Sequence, residues 1–402
     1  MRRRVYNAAI EAQFEEDRQM LFLMGPRQVG KTTASLLSGH DDEDLYYFNW
    51  DDLEQRALLT KGASAIAEEV DLEALREPKP VIIFDEVHKA PHWKALLKGF
   101  FDLYGTLAHI LVTGSARLDV YKKGGDSLMG RYFRYRLHPF SVAELVNPTL
   151  PKGEIRSPKS LPKADWERLL TFGGFPEPYL NGTRRFYNRW RTMRNHQVFR
   201  EDLRDLSRVQ ELSQIELLAE LMRLQAGSLT SYHSWATHVR ISSDTVRRWV
   251  ELLQSVFYCF AIRPWSKNVG RSLLKEPKFY LYDWSLVDDE GARFENLVAS
   301  HLLKAVHFWS DYGFGEYGLF YIRTKEKREV DFCVTKEGKP WILVEAKVGK
   351  ERLSPQLGYF QEKLGCPYAF QVVRDLPYVN KDCFAQDRPL IVPARTFLSQ
   401  LI

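Results

Sequence analysis

Apolar residues gather in short continuous runs over the first third of this chain and in spaced patterns after it. The runs at residues 20–24 (MLFLM), 45–50 (LYYFNW), 81–84 (VIIF) and 109–112 (HILV) are bounded by polar or glycine-containing stretches. Runs of that length and setting predict buried parallel strands. Between them, residues 53–75 predict an acidic helical stretch that ends at Pro78 and Pro80. Residues 147–163 hold four prolines with Gly153, Ser157 and Ser160, which predicts a linker. A helix is expected from about Ala164 to the bend Phe172-Gly173-Gly174-Phe175-Pro176. Residues 214–225, 232–239 and 245–255 repeat at helical spacing, with Val246, Trp249, Val250 and Leu253 on one face of the third. Residues 293–304 predict another helix, and residues 329–335 and 341–348 alternate as the two strands of a hairpin.

The first run leads into Gly25-Pro26-Arg27-Gln28-Val29-Gly30-Lys31-Thr32, followed by Thr33 and an incipient helix. This fits the phosphate-loop pattern at every fixed position, in the strand–loop–helix setting that the pattern requires. Gly25 and Gly30 let the backbone aim successive N–H groups at phosphates. Lys31 adds a point charge, Thr32 a hydroxyl for Mg²⁺, and the helix N-terminus favours the anion. The expected ligands are ATP and Mg²⁺. The run at 81–84 ends in Asp85-Glu86, the form of a Walker B strand, with Asp85 on magnesium and Glu86 polarising water. Beyond the run at 109–112, Ser115 is the first candidate to sense the γ-phosphate and Thr113 the second; a strand-end cap is the plain alternative. Arg131 is a candidate finger for a neighbouring subunit's site, against its being ordinary solvated surface.

The ordered set GPRQVGKTT, FDEVHKAPHW, LVTGSA, GRYFRYRLHPFSVAEL and FGGFPEP resembles the prokaryotic AAA-type ATPases whose C-terminal part is catalogued as domain of unknown function 4143. The resemblance spans nearly the whole chain. It implies an AAA-type core with a sensor at Ser115, a finger in trans near Arg131, and assembly into a ring or other homo-oligomer.

Charge changes the picture in the middle. The chain totals +5, and residues 184–208 carry eight arginines against three acids, interleaved with Phe186, Tyr187, Trp190 and Phe199. Such a segment suits a phosphate backbone and exposed bases, or is an amphipathic helix with solvated arginines. The three helices at 214–255 outline a winged helix-turn-helix. Arg247 and Arg248 lie on the exposed side of the third, and Arg263, Lys267, Arg271, Lys275 and Lys278 on a wing, which makes DNA the expected partner and protein docking the alternative.

At the end, alternation sets Glu345 and Lys347 on one face of a strand, about 7 Å apart. Asp331 can converge on them from the partner strand. Glu345-Ala346-Lys347 after Asp331 resembles the PD-(D/E)-x-K nucleases, with Val330 standing where their name has proline. That resemblance implies Glu295 as the helix-borne carboxylate and a divalent metal on Glu295, Asp331 and Glu345, with Lys347 aiding cleavage. A domain that keeps the shape but does not cut stays open.

The four cysteines form no C-x-x-C pair, and the acids after Met1-Arg2-Arg3-Arg4 interrupt any leader pattern. With no run long enough for a membrane span, a cytoplasmic protein is expected. The expected fold class is α/β, divided as a P-loop AAA-type ATPase core at 1–146, a linker and basic connector at 147–209, a winged helix-turn-helix at 210–287 and a nuclease-like domain at 288–402. The function expected is an ATP-hydrolysing DNA-binding motor for branched or forked DNA. An ATP-gated regulatory or defence switch that binds without cutting, and a protein-remodelling machine, are the alternatives.

Overall fold

The computed structural model describes residues 2–38, 44–74, 77–114, 128–203, 212–266, 276–349 and 352–402. The chain divides into one unit of residues 1–138 with 148–150 and a second of residues 139–147 with 151–402. In the first, α1 (Val5–Glu16), β1 (Met20–Met24), α2 (Lys31–Leu36), β2 (Leu45–Asn49), α3 (Leu53–Lys61), α4 (Ala63–Glu69), β3 (Val81–Asp85), α5 (Trp93–Tyr104), β4 (His109–Gly114) and β5 (Tyr132–Arg136) follow in chain order. The five strands form one parallel sheet in the order β2-β3-β4-β1-β5. β1 and β3 are buried at every position, as the continuous apolar runs require. Phe22, Phe84, Ile110 and Val112 meet α5 through Leu97, Phe100 and Phe101, with Phe84 edge-on to Phe100 at 5.4 Å. The register sets Met24 beside Gly114 and Asp85 beside Thr113, so the C-terminal ends of three strands share one edge. Ligands of open parallel sheets bind at such an edge.

The second unit contains α6 (Val142–Val146), α7 (Lys163–Phe172), α8 (Pro176–Asn181), α9 (Arg184–His196), α10 (Leu212–Leu224), α11 (Tyr232–Val239), α12 (Ser243–Ser255), β6 (Cys259–Pro264), β7 (Lys278–Leu281), α13 (Glu290–Tyr312), β8 (Tyr317–Arg323), β9 (Glu329–Lys336), β10 (Lys339–Lys347), α14 (Pro355–Leu364), β11 (Tyr368–Val373), β12 (Leu390–Pro393) and α15 (Ala394–Ser399). Its mixed sheet runs β12-β11-β10-β9-β8-β6-β7. The class is α/β, with a parallel five-stranded sheet and a C-terminal mixed sheet.

Three elements differ from expectation. The hairpin β6–β7 is not a free wing: β6 pairs with β8, Arg263 beside Phe320, and extends the C-terminal sheet. Strand patterns name an element but not its partner, so this was invisible in the sequence. Part of the proline-rich segment is tied into the second unit, where Arg156 N donates to Gln400 O at 2.9 Å and Trp309 Nε1 donates to Glu154 O at 3.0 Å. Prolines break helices, yet the carbonyls and amides left over found fixed partners. Helix α13 is longer than 293–304, because Asp289 caps its start and Gly313, at φ +92°, ends it. In α9 the rings of Tyr187 and Trp190 are buried, as is Phe199 after it, which removes them as stacking platforms for bases. Arg184, Arg185, Arg189 and Arg191 stay exposed, whereas Arg194 is buried over the Phe175 ring.

Helix α6 is fixed to α13 by buried polar pairs. Val142 N donates to His301 Nε2 at 3.1 Å, and His301 Nδ1 meets Leu297 O at 2.8 Å. A carbonyl only accepts, so Nδ1 carries the proton and the ring is neutral. One turn on, Lys304 Nζ lies 2.5 Å from Glu144 Oε2, both side chains at 2% exposure or less. Lys304→Met would strand the Glu144 carboxylate and should cost about 3–5 kcal/mol in urea unfolding. Burial pushes His301 down to about 3 from 6.5, so only the unfolded chain takes up its proton between those values. Stability should therefore fall as pH drops below about 6.5, by up to roughly 1.4 kcal/mol per unit from this group. The slope should flatten in His301→Gln.

Candidate functional site

The loop between β1 and α2 takes a shape that its glycines alone allow. A Cβ on Gly25 would sit 2.3 Å from Leu137 O, and Gly30 turns at φ +93°. Gly25, Pro26, Arg27, Gln28, Val29 and Gly30 form the loop; Lys31, Thr32 and Thr33 open α2. Arg4 holds the loop from behind, with Nη1 on Val29 O at 2.8 Å and Nη2 on His138 O at 2.6 Å. The Lys31 ammonium curls over the loop to Gly25 O at 3.1 Å and Pro26 O at 2.9 Å.

Asp85 is the hub of the strand edge. Thr32 Oγ1 donates to its Oδ2 at 3.0 Å, Tyr47 OH to the same oxygen at 2.6 Å, and Thr113 Oγ1 to Oδ1. Burial and Asp85 together push the Tyr47 phenol above its ordinary value. A hydroxyl and a carboxylate oxygen 3.0 Å apart beside a phosphate loop fit Mg²⁺, which keeps several waters and takes only one or two protein oxygens. Bound there, the ion would neutralise charge on the β- and γ-phosphates. Glu86 follows with φ +55°, its carboxylate 3.3 Å from Lys89 Nζ and 3.6 Å from His88 Nε2. Burial pulls Lys89 down, but Asp51 and Glu86 outweigh it and keep the ammonium charged. Ser115 lies outside the described residues; Thr113, the second candidate, touches Asp85 directly. Arg131 makes a two-pronged bond to Asp102 of α5, at 2.7 and 3.0 Å. Tyr47 and Arg4 were missed. Tyr47 is two residues from Asn49, which pairs with Asp85, so strand alternation held a signal; for Arg4 there was none.

In the second unit, Ser242 caps α12, and Arg247 and Arg248 stand exposed on it. Arg263 is half-buried on β6; Lys267 and Arg271 lie outside the described residues.

The register Val344 to Phe332 sets Glu345 across from Asp331 on one face, with Lys347 two residues on. Asp331 Oδ2 accepts Ala346 N at 3.0 Å, and Glu295 comes in from α13, bonded by Tyr280 OH at 2.7 Å. The sequence had put Lys278 on an exposed wing. It is instead 6% exposed, its ammonium 2.6 Å from Glu329 and 3.6 Å from Glu295. Burial, then the nearby Asp331, pushes Glu295 up to about 7. Burial also raises Asp331, whereas Lys278 and Arg323 overcome burial at Glu329 and hold it below its ordinary value. Lys278 feels burial too, but Glu295, Asp331 and Glu329 keep it protonated. Glu295, Asp331 and Glu345 are the expected metal set; among the described residues no three His, Cys, Asp or Glu side chains are placed to hold a metal ion. The Lys278 ammonium lies among these carboxylates, against Glu329 and Glu295.

Residues 17–146 match the AAA domain family. Residues 163–289 and 290–377 match two families described as domains of unknown function, DUF8612 and DUF4143. An uncharacterized protein of Mycobacterium tuberculosis is 24% identical over 344 residues, 80% of this chain and 69% of its own. One of Methanocaldococcus jannaschii is 23% identical over 384 residues, 85% and 78% respectively. Among solved structures, the Aeropyrum pernix ORC1 protein in complex with DNA aligns with 74% of this chain and 92% of its own, at 15% identity and a TM-score of 0.33. So loose an overlay says nothing about what this chain does. The AAA domain match supports ATPase activity. Among the described residues no helix is long and apolar enough to cross a membrane.

If Asp85 faces the metal, its hydroxyl donors should matter to Mg²⁺ use more than to nucleotide binding. Thr113→Val and Tyr47→Phe should each lower the Mg²⁺-dependent ATPase rate, about tenfold for the buried Thr113. Binding of a fluorescent ATP analogue in EDTA should stay within about twofold of the parent.

Proposed function

We propose that this chain hydrolyses ATP in its N-terminal unit and uses the cycle to bind and remodel DNA, branched or forked DNA first, through its second unit. The bond between Thr32 and Asp85 carries the first half, because it joins the loop to the acidic strand end at the place where a nucleotide's metal would lie. Lys31 would exchange the loop carbonyls for the β- and γ-phosphates. Asp85 and Thr32 would hold the magnesium shell, and Glu86 would polarise the attacking water. Arg131 would swap Asp102 for the γ-phosphate of a neighbouring subunit in a ring or other homo-oligomer. Exposed Arg247 and Arg248 on α12, with the exposed arginines of α9, support a polyanionic partner.

For the nuclease-like part, one observation favours the second reading, an ATP-gated switch that grips without cutting. Lys278 lies within the carboxylate cluster, which favours gripping over metal-dependent cleavage by Glu295, Asp331, Glu345 and Lys347.

The test is the ATPase rate of the purified chain against single-stranded, duplex, forked and four-way DNA at several salt concentrations. Forked or four-way DNA should raise turnover most, with binding that weakens linearly in log affinity against log salt. Arg247→Ala with Arg248→Ala should reduce that slope by roughly 2. Turnover indifferent to every DNA, with none retained at moderate salt, would overturn the DNA half and leave the ATPase half standing.

A further inference from the structure

The carboxylate cluster of the second unit already contains a cation. Lys278 reaches it from a backbone pinned on both sides, by Ile262 of β6 and by a bridge to Leu229. Its ammonium lies 5.7 Å from the centre of the Tyr321 ring, 2.6 Å from Glu329 Oε1 and 3.6 Å from Glu295 Oε1. Glu295 Oε1 is crowded by two further neighbours. The Tyr280 phenol donates to Oε1 at 2.7 Å, and Gly227 packs so closely that a Cβ there would stand 3.0 Å from that same oxygen. Asp331, Glu345 and Lys347 border the cluster from β9 and β10, and Arg323 pairs with Glu329 from β8.

A Mg²⁺ or Mn²⁺ ion bound to that Glu295 oxygen at about 2.1 Å would lie no more than about 6 Å from the Lys278 nitrogen. Like charges at that range in a mostly buried site repel strongly, and a 6% exposed side chain with a paired backbone and a bonded ammonium has little room to withdraw. We propose that Lys278 is a resident cation that takes the place of a metal ion in this cluster, so that the second unit works without a divalent cation. This gives the non-cutting reading a cause and draws its biological sense from that reading. The test uses no nucleic acid, so a failure of DNA binding leaves it intact.

The nucleotide-free protein is titrated with MnCl₂ by calorimetry, alongside Lys278→Met, Lys278→Arg, Asp331→Asn and the Lys278→Met/Asp331→Asn pair. Asp331→Asn separates this cluster from the Thr32–Asp85 site. The parent and Lys278→Arg should show no Mn²⁺ binding that Asp331→Asn removes. Lys278→Met should gain one such site, about tenfold or more tighter than anything in the parent, and lose it in the pair. Mn²⁺ should also raise the Tm of Lys278→Met and not that of the pair. Parent binding abolished by Asp331→Asn would overturn the proposal, as would a folded Lys278→Met that gains nothing. Should Lys278→Met not fold, the parent and Asp331→Asn titrations decide between the same two outcomes.

Discussion

Asp85 ends β3 inside the first unit, and its two oxygens collect hydroxyls from α2, β2 and β4. A buried carboxylate without such partners would be costly, so three elements must arrive in one register for it to be satisfied. That requirement fixes the strand edge. It sets Thr32 at the mouth of the phosphate loop and Thr113 beside it, and leaves Lys31 over the loop where phosphate belongs. The chemistry proposed for this unit is a consequence of keeping one charge satisfied.

The same constraint organises the second unit. Glu144 is paired with Lys304, which docks the short helix α6 on the long helix α13. Further along α13, Glu295 shares the Lys278 ammonium with Glu329. A hairpin strand that could have been a free wing is thereby joined to the sheet by hydrogen bonds and to the carboxylates by charge. Carboxylates from α13 and β9 share one lysine ammonium here. Balance by a lysine and balance by a metal are different functions built on one geometry.

Local patterns decided much here. The phosphate loop, Asp85, four of the five parallel strands and helices α11 and α12 were legible because each rests on short-range rules: run length, glycine conformation, capping and spacing; β5, only partly apolar, was not. Asp331, Glu345 and Lys347 were legible for the same reason, since alternation and a short hairpin fix their common face. Arg4, Tyr280 and Lys278 were not, because the packing of separate elements brings each to its partner; for Tyr47 only alternation with Asn49 gave a signal. The aromatic rings of α9 looked equally fit for bases or for a core until packing buried them.

Sequence by itself therefore determined which chemistry the N-terminal unit carries, since a phosphate site is made of contiguous backbone and its neighbours. Only the tertiary structure decided which groups surround the C-terminal carboxylates. Their character depends on which cation comes within hydrogen-bonding distance, and Lys278 was brought there by a strand pairing that no local pattern encodes.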